Sequence, residues 1–483
     1  MSWIHRRPEY VVAAVFVTAQ FMNILDTTVV NVALPAVARQ FGVQATQAEW
    51  VVIGYLMSLA VWIPVSGWLG DRWGTRRTFL VALAVFTGAS ALCGLAPSLG
   101  TLVAARILQG VGGGMLAPVG TAMLFRAFPP ERRAKAARVL IIPTVVAPAL
   151  GPVVGGFLVD TLSWHWVFLV NVPIGVAAFA FGAWGLREHR EPGTGRFDGA
   201  GFVLAGTGLP LLLYALSTGP VVGWGRPSVV AGAVVGVLAL AGFVRRELST
   251  AAPMLKLRLL KDRLFRNANL ASAFGTASFM GLLFLMPIFL QSARGESALT
   301  SGLTTAPEAV GVLVSSQLVG WLYPRVGPRR LIALGLSCAA LSATLIALVG
   351  LGADLWVLRA LMFTSGASMA FLFISQQAAT FARISSADTG HASAIFNTQR
   401  QVASMVGVAL MATVLGVLVG AAGIHPGPEA LAAFRTAFLL DAGVALLGVA
   451  AGLAIHDEDA ASTMRGGRES PAAAEARAQA AAH

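Results

Sequence analysis

The sequence predicts an all-α integral membrane protein of fourteen spans: two six-helix halves with two further helices inserted between them. Three observations carry this reading. The chain is 56% hydrophobic and only 12% charged, with a mean hydropathy of +0.75, so it lacks the charge that a soluble chain of 483 residues needs to cover its surface. Apolar runs of about 20 residues recur along it, each long enough to cross about 30 Å of hydrocarbon at about 1.5 Å per residue. A charged loop, GWLGDRWGTRR at 67–77, returns as GWLYPRVGPRR at 320–330.

The apolar runs place spans near 11–34, 48–69, 78–97, 100–122, 139–160, 166–186, 200–218, 227–244, 267–291, 301–322, 331–350, 354–379, 391–420 and 436–455. The first is read as an uncleaved helix: Arg6 and Arg7 precede it as in a signal peptide, but Asn23 and Asp26 interrupt the run and no small-residue cleavage site follows. Alternating loops then sort the charge. The loops on the N-terminal side hold 27 of the 34 Lys and Arg and those opposite hold four, which by the positive-inside rule puts both termini in the cytoplasm of an inner (plasma) membrane protein. The remaining three, Arg106, Arg359 and Arg400, lie within spans. Charge confined to short loops argues against nucleic acid as a partner, despite a net charge of +12. Cys93 and Cys338 fall in apolar spans and read as buried thiols.

The two charged loops are 253 residues apart, and the same offset carries Arg106 onto Arg359. The first six spans therefore match the last six, and spans 7 and 8 are an insertion. The organisation expected is a first half over 1–190, the inserted pair and a cytoplasmic linker over 191–266, a second half over 267–455 and a disordered tail over 456–483. Within the linker, apolar Met254, Leu255, Leu257, Leu259 and Leu260 alternate with basic residues over 245–266, a pattern suited either to an anionic lipid surface or to a solvated connection.

Ionisable residues inside spans carry the chemistry. A carboxylate at lipid depth costs roughly 2.5–3.5 kcal/mol and must face a partner or a cavity. Asp26 lies about 11 Å, and Arg106 about 9 Å, below the outer face, so the two are placed to pair. Gln109 shares the face of Arg106. Glu308 and Arg359 fall at similar depth in the second half, completing a layer of four ionisable groups. Burial favours a protonated acid and a nearby arginine the ionised one, so Asp26 and Glu308 are candidates to carry a proton, with Asp441 on span 14 a third. Arg400 sits among Asn397, Thr398, Gln399 and Gln401, a polar patch roughly two to three turns from the inner face that suits either lining the inner cavity or pairing with an acid there. PALGPVVGG at 148–156 removes backbone donors at Pro148 and Pro152 and side chains at Gly151 and Gly155, which suits close packing with a bend. Phe21, Met22 and Trp50 are the side chains offered for drug contact. Asp71 differs from its repeat counterpart, Pro324: an acid at that end of span 2 is placed to meet the positive N-terminus of span 13, or an arginine, and latch the inner gate.

LDTTVVNVALP (25–35), GWLGDRWGTRR (67–77), RILQGVGGG (106–114), PALGPVVGG (148–156) and WHWVFLVNVPIG (164–175), in that order and at those spans, resemble the fourteen-span drug:proton antiporters of the major facilitator superfamily. The resemblance covers nearly the whole chain up to the tail, with Ala147 replacing a glycine often found there. It implies the major-facilitator fold and a conformational lock of Gly67, Asp71, Arg72, Gly74 and Arg76 in the outward-facing state. It also implies export as the direction of transport. Asn31, Gln109, Arg359 and Arg400 are read as cavity or packing residues.

The function expected is proton-coupled multidrug export by alternating access, taking amphipathic or cationic compounds and working as a monomer without cofactor or metal. An exporter of a lipid, peptide or self-made antibiotic keeps the fold and changes the cargo, and a membrane sensor is the reading outside transport. An enzyme is not expected, since the chain has no HExxH, no GxSxG and no P-loop lysine.

Overall fold

Hydrocarbon offers backbone groups no partner, so a chain that spans it must close every N–H and C=O within helices. The computed structural model describes residues 8–43, 45–48, 50–128, 147, 150–151, 154–159, 161–190, 197–250, 253–296, 298–350, 353–385, 387–419 and 428–464, and these are overwhelmingly helical. In the first half, α1 is Pro8–Phe41, α2 Trp50–Trp73, α3 Thr75–Gly94, α4 Leu99–Ala127 and α5 His165–Gly185. The inserted pair is α6, Gly199–Val222, and α7, Pro227–Ser249. In the second half, α8 is Arg263–Ile288, α9 Pro307–Val326, α10 Pro328–Val349, α11 Leu355–Thr380, α12 Thr389–Val419 and α13 Pro428–Leu453. Among the described residues twelve of these helices are long and apolar enough to cross a membrane. Helix α9, which carries Glu308 and Arg325, is not among the twelve, and the expected fifth span over 139–160 lies mostly outside the described residues. Exposed apolar side chains such as Val203, Leu238, Leu318 and Leu447 cover the outside, as a surface in contact with lipid requires.

Side-chain caps set several of the starts. Ser98 accepts the Thr101 amide at 3.2 Å to open α4, Asp198 accepts that of Gly201 at 3.0 Å to open α6, and Asp262 accepts that of Phe265 at 2.9 Å to open α8.

The repeat is legible in how helices pack. α4 packs on α1, α2 and α3, and α5 on α1 and α3; in the second half α11 packs on α8, α9 and α10, and α13 on α8 and α10. The charged loops match in detail. Gly74 at φ +100 and Gly327 at φ +87 turn the chain between spans in a left-handed conformation that favours glycine. An acid from further along each half then caps the helix that follows: Glu188 accepts the amides of Arg76 and Arg77 at 3.0 and 3.3 Å, and Asp457 accepts that of Arg329 at 2.9 Å. Asp457 belongs to a short 3-10 helix, Asp457–Thr463, whose Ala460 and Thr463 are buried and whose Asp459 binds Arg263 and Arg383. Disorder is therefore not the state of residues 457–463, because this acidic turn neutralises the arginines around it. Residues 465–483 lie outside the described residues.

The inserted pair does more than separate the halves. Helix α6 packs on both α2 and α12, bridging them, while α7 packs on α6. The linker after it is neither a lipid-surface segment nor a solvated strand at Met254 and Leu255, which are buried. Glu247 accepts the Leu255 amide at 2.9 Å, and the Met254 carbonyl lies 2.9 Å from His391 Nδ1, so the apolar residues face protein.

In the second half α9 and α11 cross on glycines: a Cβ on Gly366 would run into the carbonyl of Glu308, and one on Gly311 into that of Phe363. Gly366→Val is expected to cost at least about 1–3 kcal/mol through overpacking, read as a lowered unfolding temperature in detergent. Gly416→Val, where nothing lies within 4 Å of the new atom, should leave it unchanged.

Candidate functional site

Asp26 and Arg106 form the ion pair that their depths suggest. Arg106 Nη1 lies 2.5 Å from Asp26 Oδ2, and neither side chain is exposed. The same Nη1 donates to Gln109 Oε1 at 2.7 Å, and Gln109 Nε2 donates to Asp26 Oδ1 at 3.0 Å. Asn171 Nδ2 donates to Asp26 Oδ1 at 3.1 Å and to Ser90 Oγ at 3.1 Å. Arg106 also donates from Nε to the Val51 carbonyl at 3.0 Å and stacks 4.1 Å from the Tyr55 ring, whose hydroxyl bonds Asn23. One carboxylate thus joins α1, α2, α3, α4 and α5. Sequence reasoning found Asp26, Arg106 and Gln109 but missed Asn171 and Tyr55. Asn171, in the VNVPIG stretch, is the polar residue of an otherwise apolar run and was the available signal.

The second half does not repeat this pair. Arg359 stacks 4.6 Å over Trp356 and makes no hydrogen bond or ion pair among the described residues. At the repeat offset of 253 the place of Asp26 is taken by Phe279, so the arginine has no acid to meet and turns to the bundle edge. The expected layer of four charges is therefore two opposed halves: a closed ion pair on one side and acids on the other. Glu308 is buried, its Oε1 has no partner, and Asp441 lies within electrostatic range of it. Asp441 Oδ2 accepts from Ser278 at 3.0 Å and its Oδ1 has no partner.

At the charged-loop end, Asp71 joins the halves. Its Oδ1 accepts from Arg126 Nη2 at 2.9 Å, its Oδ2 lies 4.0 Å from His391 Nε2, and a Cβ on Gly390 would sit 2.7 Å from that same Oδ2. A Cβ on Gly67 would sit 2.8 Å from the Gly390 carbonyl oxygen, so only a glycine lets α2 pack this closely on the start of α12. Nearby, Ser393 donates to the Pro118 carbonyl at 2.6 Å and Phe125 stacks on Phe381 at 4.3 Å. Both alternatives offered for Asp71, a helix N-terminus and an arginine, are present together. The other three lock candidates do not reach across. Arg76 donates to the Ala183 carbonyl at 2.6 Å and Gly74 abuts Glu188, both past the end of α2 and within the first half, while Arg72, in the last turn of α2, is exposed. Arg126, Gly390 and His391 were missed, lying in stretches that read as an ordinary loop and helix start.

Between the halves lies a cavity of about 220 Å³. Gln20, Asn23 and Thr27 of α1 face Arg400, Asn397 and Gln401 of α12 across it, over an apolar wall from α2 and α4. Arg400 is where the sequence placed it. Phe21, Met22 and Trp50 are not among the lining residues: α1 turns its 20, 23, 24 and 27 face inward, Met22 is fully buried and Trp50 is exposed. Gly151 and Gly155 abut α1 at Thr28 and Val29, whereas Pro148, Pro152 and the Asn31 side chain lie outside the described residues.

Residues 16–408 match the family model described as Major Facilitator Superfamily. MdtD of Serratia proteamaculans, a relative named for multidrug resistance, is 32% identical over 422 residues, 87% of each chain. The multidrug resistance protein B homolog of Mycobacterium tuberculosis is 31% identical over 407 residues, 83% of this chain and 75% of its own. Among solved structures, the human organic anion transporter MFSD10 matches with a TM-score of 0.67 over 92% of this chain and 99% of its own; at 17% identity this is a likeness of fold.

Removing one partner of a buried ion pair strands the other, at a cost of about 3–5 kcal/mol. Asp26→Asn and Arg106→Gln are each expected to lower the unfolding temperature in detergent, and the double variant to lose much less than the sum of the two. Additive losses would show that the two side chains do not depend on each other.

Proposed function

The chain belongs to the major facilitator superfamily and is a multi-pass membrane transporter rather than an enzyme; from that premise we propose that it is a proton-coupled multidrug exporter working by alternating access. It has fourteen spans with both termini in the cytoplasm, and acts as a monomer. Relatives named for multidrug resistance support the cargo class. The observation that carries the coupling is the pair of buried acids in the second half, Glu308 and Asp441, each with an oxygen that has no partner.

A coupling proton must land where it changes charge without dismantling the fold. Asp26 is ill suited, since its two oxygens are held by Arg106, Gln109 and Asn171. Glu308 and Asp441 have no cation against them, so gain of one proton changes the local charge and leaves every described ion pair intact. The proton role offered for Asp26 thus passes to the second half, and Asp26 holds the first half rigid.

The Asp71 contacts make the other moving part. They tie the ends of α2 and α4 to the start of α12 where the halves meet, and close the inner gate while the outer side exchanges cargo for protons. Binding shifts such an equilibrium only by its difference in affinity between the two states. An acid whose surroundings change as the halves rock supplies that difference.

In inside-out vesicles bearing the purified chain, the double variant Glu308→Gln, Asp441→Asn is expected to abolish dye accumulation driven by a pH gradient while dye still equilibrates. Uphill accumulation at the wild-type rate would refute the coupling role. Asp71→Asn removes a charge-assisted contact of about 1.5–3 kcal/mol and is expected to slow transport about tenfold with insertion unchanged; unaltered transport would reduce this loop to a topological anchor.

A further inference from the structure

We infer that the central cavity binds its cargo through an anionic group, with Arg400 as the counter-charge. The inference rests on the exporter reading and names the substrate class of that site.

Arg400 lines the cavity and makes no hydrogen bond or ion pair among the described residues; its one specific neighbour is the Phe396 ring, 5.9 Å from the guanidinium carbon. A guanidinium stays charged in proteins and offers five donors in a planar fork. No acid lines the cavity. The acids of the spans are committed elsewhere: Asp26 is sealed against Arg106, and Glu308 and Asp441 lie within the second half. Of the stretch 129–160, most of which lies outside the described residues, the acids are Glu131 and Asp160 at its two ends, and 132–159 contains none. Among the described residues the cavity therefore carries an uncompensated positive charge.

Its other polar groups fit the same ligand. Among the described residues no hydrogen bond is made by Gln20 or Gln401, and Gln20 Oε1 is buried without a partner, so their amides can serve a ligand. Arg400 with these two amides across a narrow space suits a carboxylate, sulfonate or phosphate head, and the wall of Leu56, Leu59 and Ile63 takes an apolar body. At about 220 Å³ the space is smaller than the roughly 300–1,000 Å³ typical of drug-sized sites, so the head group is recognised here and the body needs the halves to part. The sequence offered amphipathic or cationic cargo, with Arg106 and Arg359 leaving anionic cargo open. With Asp26 closed off, the charge that remains there is positive and repels a cation.

Two dyes that differ only at one group test this: tetramethylrhodamine with its free carboxylate, and its methyl ester. Binding to the detergent-purified chain is read by fluorescence anisotropy, with no gradient. The free acid is expected to bind at least about tenfold more tightly than the ester, and Arg400→Gln to lose about tenfold or more for the acid alone. Arg400→Lys, which keeps the charge, should retain part of the preference. Equal or tighter binding of the ester by the wild type, binding of neither dye, or a loss in Arg400→Gln that is the same for both dyes would overturn the inference. Should Arg400→Gln fail to fold, the wild-type preference and Arg400→Lys decide it. Export is scored separately, by gradient-driven uptake of the same dyes into inside-out vesicles. Uptake of the ester but not the acid refutes the anion site and keeps the exporter, whereas binding of the acid without uptake of either dye refutes the exporter and keeps the site.

Discussion

A charge in hydrocarbon must be matched or put to use, and the Asp26–Arg106 pair shows what matching demands. One carboxylate and one guanidinium, both fully buried, draw in Gln109, Asn171, Ser90 and the Val51 carbonyl. Five helices of the first half meet at that point. Because breaking any one contact would leave a neighbour unpaired at low dielectric, the half behaves as a rigid body. Under the proposed alternating access that rigidity matters, because a soft bundle would absorb a relative motion of the halves instead of transmitting it.

Against that frame, the charges left unmatched mark where work is done. Among the described residues Glu308 and Asp441 each keep an oxygen without a hydrogen-bond partner inside the second half, and Arg400, beside the Phe396 ring, makes no ion pair in the space between halves. Each would be costly in a purely structural protein. The repeat explains how the two halves divided these tasks. Both retain the left-handed glycine and the acid-capped helix after it. The second half has Phe279 where the first has Asp26, and Pro324 where the first has Asp71. One half thus carries the closed ion pair and Asp71, and the other carries Glu308, Asp441 and the cavity arginine.

Much of this was legible in the sequence. Helix lengths follow from apolar runs, the repeat from two loops at one offset, and the Asp26–Arg106 pairing from depth counted at a fixed rise per residue. Depth says nothing of direction around a helix, however, so Arg359 was grouped with Glu308 although it turns toward Trp356. The face of α1 in the cavity was likewise misjudged, since aromatic and Met side chains drew attention away from Gln20, Asn23 and Thr27. Partners of Asp71 were foreseen by type and not by number, because Arg126 and His391 reach it only once α2, α4 and α12 are assembled.

The inserted helices show what a span count leaves out. Helix α6 lies across α2 and α12, the two helices that Asp71 and Gly390 hold together. The linker that leaves α7 then runs to the start of α12, where Met254 meets His391 and Lys256 Nζ lies 2.6 Å from Asp388 Oδ1. Burial works against ionising Asp388, but the hydrogen bonds from Lys256 and Ser385 outweigh it and hold the carboxyl below its usual range. This contribution is complete above the ordinary carboxylate pKa of about 3.9 and fades only as the pH falls through the lower folded value, so the strap is in place across the physiological range. The exposure of both partners keeps its worth small. What it supplies is connection: the start of α12 is tied to the linker and, through Glu247 and the Leu255 amide, to the end of α7. The insertion is thereby joined at two points to the helices that meet at Asp71, by α6 on α2 and α12 and by its linker at the start of α12.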